Sequence, residues 1–202
     1  MDQPKIQLSF SEADLMQNRE VILTKNSVLK KIRNLLENLQ EEEFQFAHQR
    51  GLDMSPYFSS GPKISRGENY EGMPYLILDY PRYSNKGDLF FIRTFFWWGH
   101  FFSTTLHLAG KTKQQFLESI LQSYHQVREF SIGTNTDPWV HHFESGNYQL
   151  IGDLSQHEFN KAAENFSHIK LAARWPLEQW EEAPENLFAD WKKLLAVCRL
   201  IT

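Results

Sequence analysis

The sequence has little cysteine and no long apolar run. Its single cysteine, Cys198, cannot form an internal disulfide, which favours a reducing compartment, and we expect it to be a small buried side chain. No window approaches the ~18 consecutive apolar residues of a membrane-spanning helix, and the first residues lack the basic and apolar parts of a signal peptide. We therefore expect a soluble cytoplasmic protein that does not enter a membrane.

Positive charge is also scarce. The 202 residues include 21 Lys and Arg against 25 Asp and Glu, which gives a net charge of −4, and no basic run is longer than the two residues of Lys30-Lys31. Domains that bind nucleic acids are usually basic, with Lys and Arg clustered on one face. We therefore predict no nucleic-acid partner.

Catalytic and cofactor motifs are missing as well. The segment from Gly61 to Tyr70 mixes glycines, cations and hydroxyls, but it lacks the Gly-Lys-Ser/Thr ending of a phosphate-binding P-loop and is not a dinucleotide-binding fingerprint. The sequence contains no G-x-S-x-G, H-E-x-x-H or C-x-x-C motif. We predict no cofactor, and the sequence leaves open whether the protein is an enzyme.

Aromatic residues are abundant. Phe, Trp and Tyr make up 14% of the chain, whereas the hydrophobic share of 41% and the charged share of 23% are typical of a globular protein. Aromatic side chains favour strands and bury large apolar areas. They indicate a bulky sheet core, with an aromatic-lined cavity or interface as the alternative, and the length fits a single globular domain over residues 1–202.

Hydrophobic periodicity divides the chain into helices and strands. Apolar residues three and four apart predict helices over residues 11–18, 26–49, 112–127, 155–166 and 184–195, with Ser11 as an N-cap and capping boxes at Thr112 and Ser155. Strands are predicted over residues 73–80, 89–109, 139–145, 148–154 and 168–175, with a loop over 51–72 in which a short strand at Lys63–Arg66 is an alternative. Local hairpins dominate, so the predicted fold class is α+β: a mainly antiparallel sheet, made of a meander and a hairpin, with helices packed on its faces.

The segment 89–109 must fold back on itself, because one strand of that length would extend about 70 Å. Gly99 is the turn former inside it, so we expect a two-residue turn at Trp98-Gly99. This turn pairs Arg93 with Thr104 and places His100 and His107 on opposite faces of the sheet. A longer turn would exchange the faces.

Arg93 lies in mid-strand among aromatic residues, where a guanidinium is rarely buried without a partner. It either pairs with a carboxylate such as Asp79 or faces a cavity that binds an anion. The cavity reading gives our first hypothesis, a small-ligand-binding or accessory protein with a pocket for an anionic or aromatic molecule between the central sheet and the loop 56–72. The anion contacts would be Arg93, Lys63 and Arg66, and the apolar walls would be Tyr75 and Trp97.

Histidines suggest a second hypothesis, a metal-assisted or acid–base hydrolase. Its candidate catalytic residues are His100, His107, His141 and Asp79. Neighbours such as His141 and His142 point to opposite faces of a strand, so the sequence supplies no ready pair of ligands and we predict no metal site. A third hypothesis is a homodimer held together by exposed aromatic side chains, which is compatible with the first two.

Overall fold

One seven-stranded antiparallel sheet forms the centre of the structure. The computed structural model describes residues 6–201, and these residues form five α-helices and seven strands. The helices are α1 (Phe10–Gln17), α2 (Arg19–Gln49), α3 (Lys111–Gln122), α4 (Gln156–Asn165) and α5 (Ala183–Val197). The strands are β1 (Lys63–Tyr70), β2 (Met73–Asn85), β3 (Asp88–Trp97), β4 (Phe101–Ala109), β5 (Ser131–Gly133), β6 (Tyr148–Leu150) and β7 (His168–Pro176). Their order in the sheet is β1-β2-β3-β4-β7-β5-β6, which confirms the predicted α+β class.

Helices α2 to α5 pack on one side of this sheet, which we call the helical face. The apolar stripe of α2 contacts Leu78 of β2 and Phe96 of β3, because its leucines recur three and four residues apart. Helices α3, α4 and α5 join a second cluster around Phe90 of β3, to which α5 contributes the fully buried Trp191. This face holds most of the apolar core.

The opposite side of the sheet, which we call the loop face, is covered by an irregular segment. This segment, residues 134–147, is named the covering loop below. On the loop face Phe95, Trp97 and Phe101 form a small apolar cluster, and Phe143 of the covering loop packs against it. The predicted helices therefore cover one face only, and a loop covers the other.

The helix starts are set by capping side chains. Ser155 and Glu158 form the predicted capping box at the start of α4, which is confirmed. The box predicted at Thr112 is wrong, because the Thr112 hydroxyl donates to main-chain carbonyls of the adjoining strands and does not cap α3. Instead the Asp88 carboxylate accepts from the N–H of Lys111 at 2.8 Å.

The N-terminal helices begin earlier than the sequence predicts. Ser9, not Ser11, caps α1, and Asn18 caps α2, which starts at Arg19 rather than at residue 26. No residue of α1 is buried. The first turns of α2 were missed because Val21-Ile22-Leu23 reads as a short apolar run without helical spacing.

The predicted register of the β3–β4 hairpin is wrong by one residue. Trp97 pairs with Phe101 and Arg93 pairs with Thr105, so the turn contains three residues, with Gly99 at a φ of 77°. Because side chains alternate along a strand, the shift moves every β4 side chain to the other face. His107 consequently lies on the same face as Arg93.

Two further segments differ from the sequence prediction. Residues 139–145 form no strand and belong to the covering loop, and the hairpin partner of β6 is the short β5 at Ser131–Gly133. Within the predicted loop 51–72, the alternative short strand at Lys63–Arg66 is present and extends further, as the edge strand β1 (Lys63–Tyr70). Along residues 6–201, no helix combines the length and the apolar character that crossing a bilayer requires.

Candidate functional site

A buried ion pair lies in the middle of the loop face. Asp79 of β2 and Arg93 of β3 are direct neighbours in register. The guanidinium donates through Nε to Oδ1 of Asp79 at 2.7 Å and through Nη2 to Oδ2 at 2.9 Å. Only 16% of the Arg93 side chain and 11% of the Asp79 side chain are exposed. The structure thus contains the Asp79–Arg93 pair that was one of the two readings of Arg93.

The remaining edge of the Arg93 guanidinium faces the covering loop. Its Nη1 atom lies 3.1 Å from Nε2 of His141, and the guanidinium carbon lies 6.0 Å from the ring of Trp139. Asp79 therefore binds the Nε and Nη2 side of the guanidinium. The Nη1 side contacts residues of the covering loop and faces the space beneath that loop.

Two further basic residues, His107 and Lys170, lie beside this pair. They are cross-strand neighbours on β4 and β7, with 4% and 2% of their surface exposed. The Lys170 ammonium group donates to the main-chain carbonyl of Val140 in the covering loop. Within residues 6–201, no carboxylate forms an ion pair with Lys170. The Nε2 atom of His107 is buried and has no hydrogen-bond partner among the described residues.

These side chains enclose a small cavity of about 10 Å³, close to the space that one water molecule needs. The lining residues are Phe91, Arg93, Thr105, His107, Trp139, His141 and Lys170. We refer to Arg93, His107, His141 and Lys170 as the buried basic cluster. Its members come from β3, β4, β7 and the covering loop, so only the fold brings them together.

Burial shifts the protonation of the cluster toward neutral forms. It is the main reason that the pKa of Lys170 is lowered to about 7, and the charge of Arg93 lowers this pKa further. Burial likewise lowers the pKa of His107 to about 3 and the pKa of His141 well below its usual value, with smaller effects of Lys170 and Arg93. At neutral pH both histidines are therefore uncharged.

The covering loop is held over the cluster by few polar contacts. The N–H of His141 donates to the Tyr70 hydroxyl at 2.6 Å, and this hydroxyl lies 3.0 Å from Nδ1 of His142. Inside the cluster the loop supplies one main-chain carbonyl to Lys170 and one imidazole nitrogen to Arg93. A ligand that offered the same acceptor atoms would compete with the loop for both cations.

The structure brings together Asp79, Arg93, His107 and His141 of the predicted site residues. His100 does not join them, because it stacks on Trp97 at the β3–β4 turn with ring centroids 3.5 Å apart. Both Asp79 oxygens are bound by Arg93, so the carboxylate is not free to act as a base in this arrangement. Among residues 6–201, no group of three or more His, Cys, Asp or Glu side chains is arranged to hold a metal ion.

The other predicted ligand contacts lie outside the cavity. Arg66 is exposed on β1 and binds Glu68, and Lys63 is exposed at the start of the same strand, next to Asp79 in register. Trp97 donates to the carbonyl of Tyr70, and Tyr75 packs on the same apolar cluster. The loop face, not the segment 56–72, supplies the wall of the cavity.

Lys170 is the member of the cluster that the sequence analysis missed. It lies in the strand His168–Pro176 between Ile169 and Leu171, and so it has the same signal as Arg93, a cation with apolar neighbours in the middle of a strand. Reading both positions in the same way would have identified two cations in the interior of one sheet.

Cys198 lies in the core at 3% exposure, which confirms the prediction that it is buried. Burial raises the pKa of its thiol. It is therefore a packing residue away from the buried basic cluster.

Comparison with known proteins does not extend these observations: no protein-family model matches the sequence, and no curated protein is significantly similar to it.

Proposed function

We propose that this protein binds a small organic anion at the buried basic cluster, beneath the covering loop. The observation that carries this proposal is Lys170, a lysine with 2% of its surface exposed that has a main-chain carbonyl and no carboxylate as its partner. A buried cation without a counter-ion is costly, and proteins usually pair it or use it.

The charges of the cluster favour a ligand of negative sign. Arg93 is neutralised by Asp79, but Lys170 adds a second cationic site, and the histidines beside it add hydrogen-bonding nitrogens. A carboxylate or phosphate group that replaced His141 on Nη1 of Arg93 and the Val140 carbonyl on Lys170 would supply the missing negative charge. Such charge-assisted hydrogen bonds are the strong ones in buried sites.

Binding requires the covering loop to move. The cavity has room for about one water molecule, so a ligand must displace the Val140 carbonyl from Lys170 and His141 from Arg93. The loop acceptors thus occupy the positions that ligand oxygens would take. Aromatic walls from Phe91 and Trp139 suit the apolar part of a small organic molecule.

We expect lactate or inorganic phosphate to stabilise the wild-type protein against thermal unfolding, relative to sodium chloride at the same ionic strength. At about 100 times the dissociation constant, a ligand adds about 2.7 kcal/mol of stability, which corresponds to roughly 5–10 °C in the midpoint for a chain of this size. Lactate and phosphate as separate probes distinguish a carboxylate ligand from a phosphate ligand.

Two variants decide where the anion binds. Lys170→Met should abolish the thermal shift, whereas Arg66→Gln, which removes an exposed cation outside the cavity, should retain it. An equal shift in all three proteins would place the anion elsewhere and would refute the proposal.

A second candidate function is self-association through the N-terminal region. Eight apolar side chains between residues 6 and 23 are more than 40% exposed, and they are Ile6, Leu8, Phe10, Leu15, Met16, Val21, Ile22 and Leu23. An apolar groove of about 610 Å³ that is lined by Val28, Pro74 and Trp98 adjoins the start of α2. Because α1 has no buried residue and is too short to be stable alone, we infer that a second copy of the chain covers it by two-fold pairing.

This candidate predicts a dimer in sedimentation velocity whose fraction rises with protein concentration. Introducing a charge through Leu23→Glu should shift the protein toward monomer, because it places a carboxylate in the apolar contact. The matched control is Leu150→Glu, which alters another exposed leucine on β6 and should leave the dimer intact. A wild-type protein that stays monomeric at high concentration would rule this candidate out.

A further inference from the structure

The amine of Lys170 is placed as a nucleophile rather than as a partner in an ion pair. Its acceptor is the main-chain carbonyl of Val140, which binds an N–H without stabilising a positive charge as a carboxylate would. Burial and, to a smaller extent, the charge of Arg93 lower its pKa to about 7 against the opposing effect of the Asp137 carboxylate, so a large share of the amine is neutral at physiological pH. Lysine amines react with carbonyl compounds only in this neutral form.

Arg93 is placed to hold a carboxylate next to this amine. Asp79 binds the Nε and Nη2 side of the guanidinium and prevents it from turning, so Nη1 remains directed toward the cavity. Arg93 pairs with Thr105 on β4, and the next cross-strand pair on this face joins His107 to Lys170. The two cations therefore lie on the two strands that flank β4, one row apart along the strands, and they line the same small space.

A space this small that both cations line favours a compact ligand in which a carbonyl group directly adjoins a carboxylate. We propose that Lys170 forms an imine with the carbonyl carbon of a small 2-oxo acid whose carboxylate binds Arg93. The inference rests on the proposed function, because it requires an anion to enter the same cluster.

The reaction balances without an oxidant or reductant. The lone pair of Nζ attacks the carbonyl carbon and forms the C–N bond, while the π electrons of the carbonyl bond move to oxygen. One proton passes from the nitrogen to this oxygen and gives a carbinolamine. The carbinolamine hydroxyl then takes up a proton from solvent and leaves as water, while the nitrogen lone pair forms the C=N bond. The products are a protonated imine and water.

His107 is placed to relay the proton between nitrogen and oxygen. It lines the cavity, is the cross-strand neighbour of Lys170, and has an Nε2 atom without a partner among the described residues. Because its pKa is about 3, the neutral imidazole is a weak base that would hold the proton only in passing, as it moves from the attacking nitrogen to the carbinolamine oxygen.

Borohydride trapping with pyruvate tests this inference on the intact wild-type protein. Borohydride delivers a hydride to the imine carbon and fixes it as a secondary amine, which increases the protein mass by pyruvic acid less one oxygen atom. Peptide mapping then identifies the modified lysine. Lactate carries the same carboxylate but a hydroxyl in place of the ketone, so it should compete with pyruvate and form no adduct.

Lys113 provides a matched control within the same chain. It is also buried, at 9% exposure, and its amine also donates to main-chain carbonyls, those of Glu164 and Phe166. It does not line the cavity with Arg93 and His107. We expect the adduct at Lys170 to exceed that at Lys113 by about tenfold or more at pH 7, and to decline toward pH 5 as the amine of Lys170 becomes protonated.

The outcomes separate the two proposals. If pyruvate stabilises the wild-type protein but not Lys170→Met, and no adduct forms at Lys170, the imine is refuted while anion binding stands. If pyruvate forms no adduct and none of pyruvate, lactate and phosphate stabilises the protein, both proposals fail. An adduct spread equally over Lys170, Lys113 and surface lysines would also overturn the imine, since it would reflect ordinary amine reactivity.

Discussion

Replacing Asp79 with alanine is expected to lower the free energy of unfolding by about 3–5 kcal/mol, which is the cost of leaving one member of a buried ion pair without its partner. The variant removes both carboxylate acceptors of the Arg93 guanidinium, which accept hydrogen bonds of 2.7 and 2.9 Å, and the Arg93 side chain is only 16% exposed. Lys170, the nearest other cationic member of the cluster, would then add repulsion. Chemical denaturation at pH 7 measures the loss.

The exposed pair Arg33–Glu37 gives the matched control. Its nitrogen–oxygen distance of 2.8 Å is similar, but its side chains are 58% and 46% exposed. Glu37→Ala should therefore cost less than about 1 kcal/mol. The double variant Asp79→Ala with Arg93→Met should recover most of the stability lost, because it removes the uncompensated charge as well. A loss at Asp79 no larger than that at Glu37 would mean that water reaches Arg93 and that the cluster is not sealed.

Helices and strands could be predicted from the sequence because their evidence is local. Each of these elements is encoded by residues that are close together in the sequence. Examples are the apolar stripe of α2, the capping box of Ser155 and the apolar strand that begins at His168. Helix α5 was found in the same way, since Pro184 lies in its first turn and its apolar residues recur three and four apart.

The site could not be predicted to the same extent, because it depends on the register of one hairpin. A glycine at position 99 fits a two-residue turn as well as the three-residue turn that forms, and only the second places His107 on the side of Arg93. The covering loop was mistaken for a strand, since Val140, His141, His142 and Phe143 resemble one in composition. Its actual position follows from packing against Tyr70 and the sheet, which no local pattern contains.

Replacing Lys170 with methionine is expected to stabilise the protein at pH 7, by about 2 kcal/mol. The folded protein lowers the pKa of Lys170 to about 7, whereas an unfolded chain has a lysine pKa of ~10.4. Below pH 7 both states are protonated, and the folded state bears the full cost of the buried charge, on the order of 4 kcal/mol. Methionine removes this cost but leaves the Val140 carbonyl without its donor, which costs about 1–3 kcal/mol.

The two pKa values of Lys170 also predict how the stability difference between wild type and Lys170→Met changes with pH. Between pH ~7 and ~10.4 the unfolded chain binds a proton that folded Lys170 does not, so wild-type stability rises with pH across this interval. The advantage of Lys170→Met should therefore shrink as pH increases and should vanish or reverse by pH 10. Lys161→Met, which alters an exposed lysine of α4, should change stability by less than about 0.5 kcal/mol at either pH.

A stabilising Lys170→Met variant would also bear on function. A residue that lowers stability and is nevertheless present at the centre of a sheet is expected where a site needs its chemistry, because a hydrophobic side chain would fold better there. If Lys170→Met instead destabilises the protein equally at pH 7 and pH 10, Lys170 serves mainly to hold the Val140 carbonyl and the covering loop. The buried basic cluster would then be architecture, and self-association through residues 6–23 would become the leading candidate.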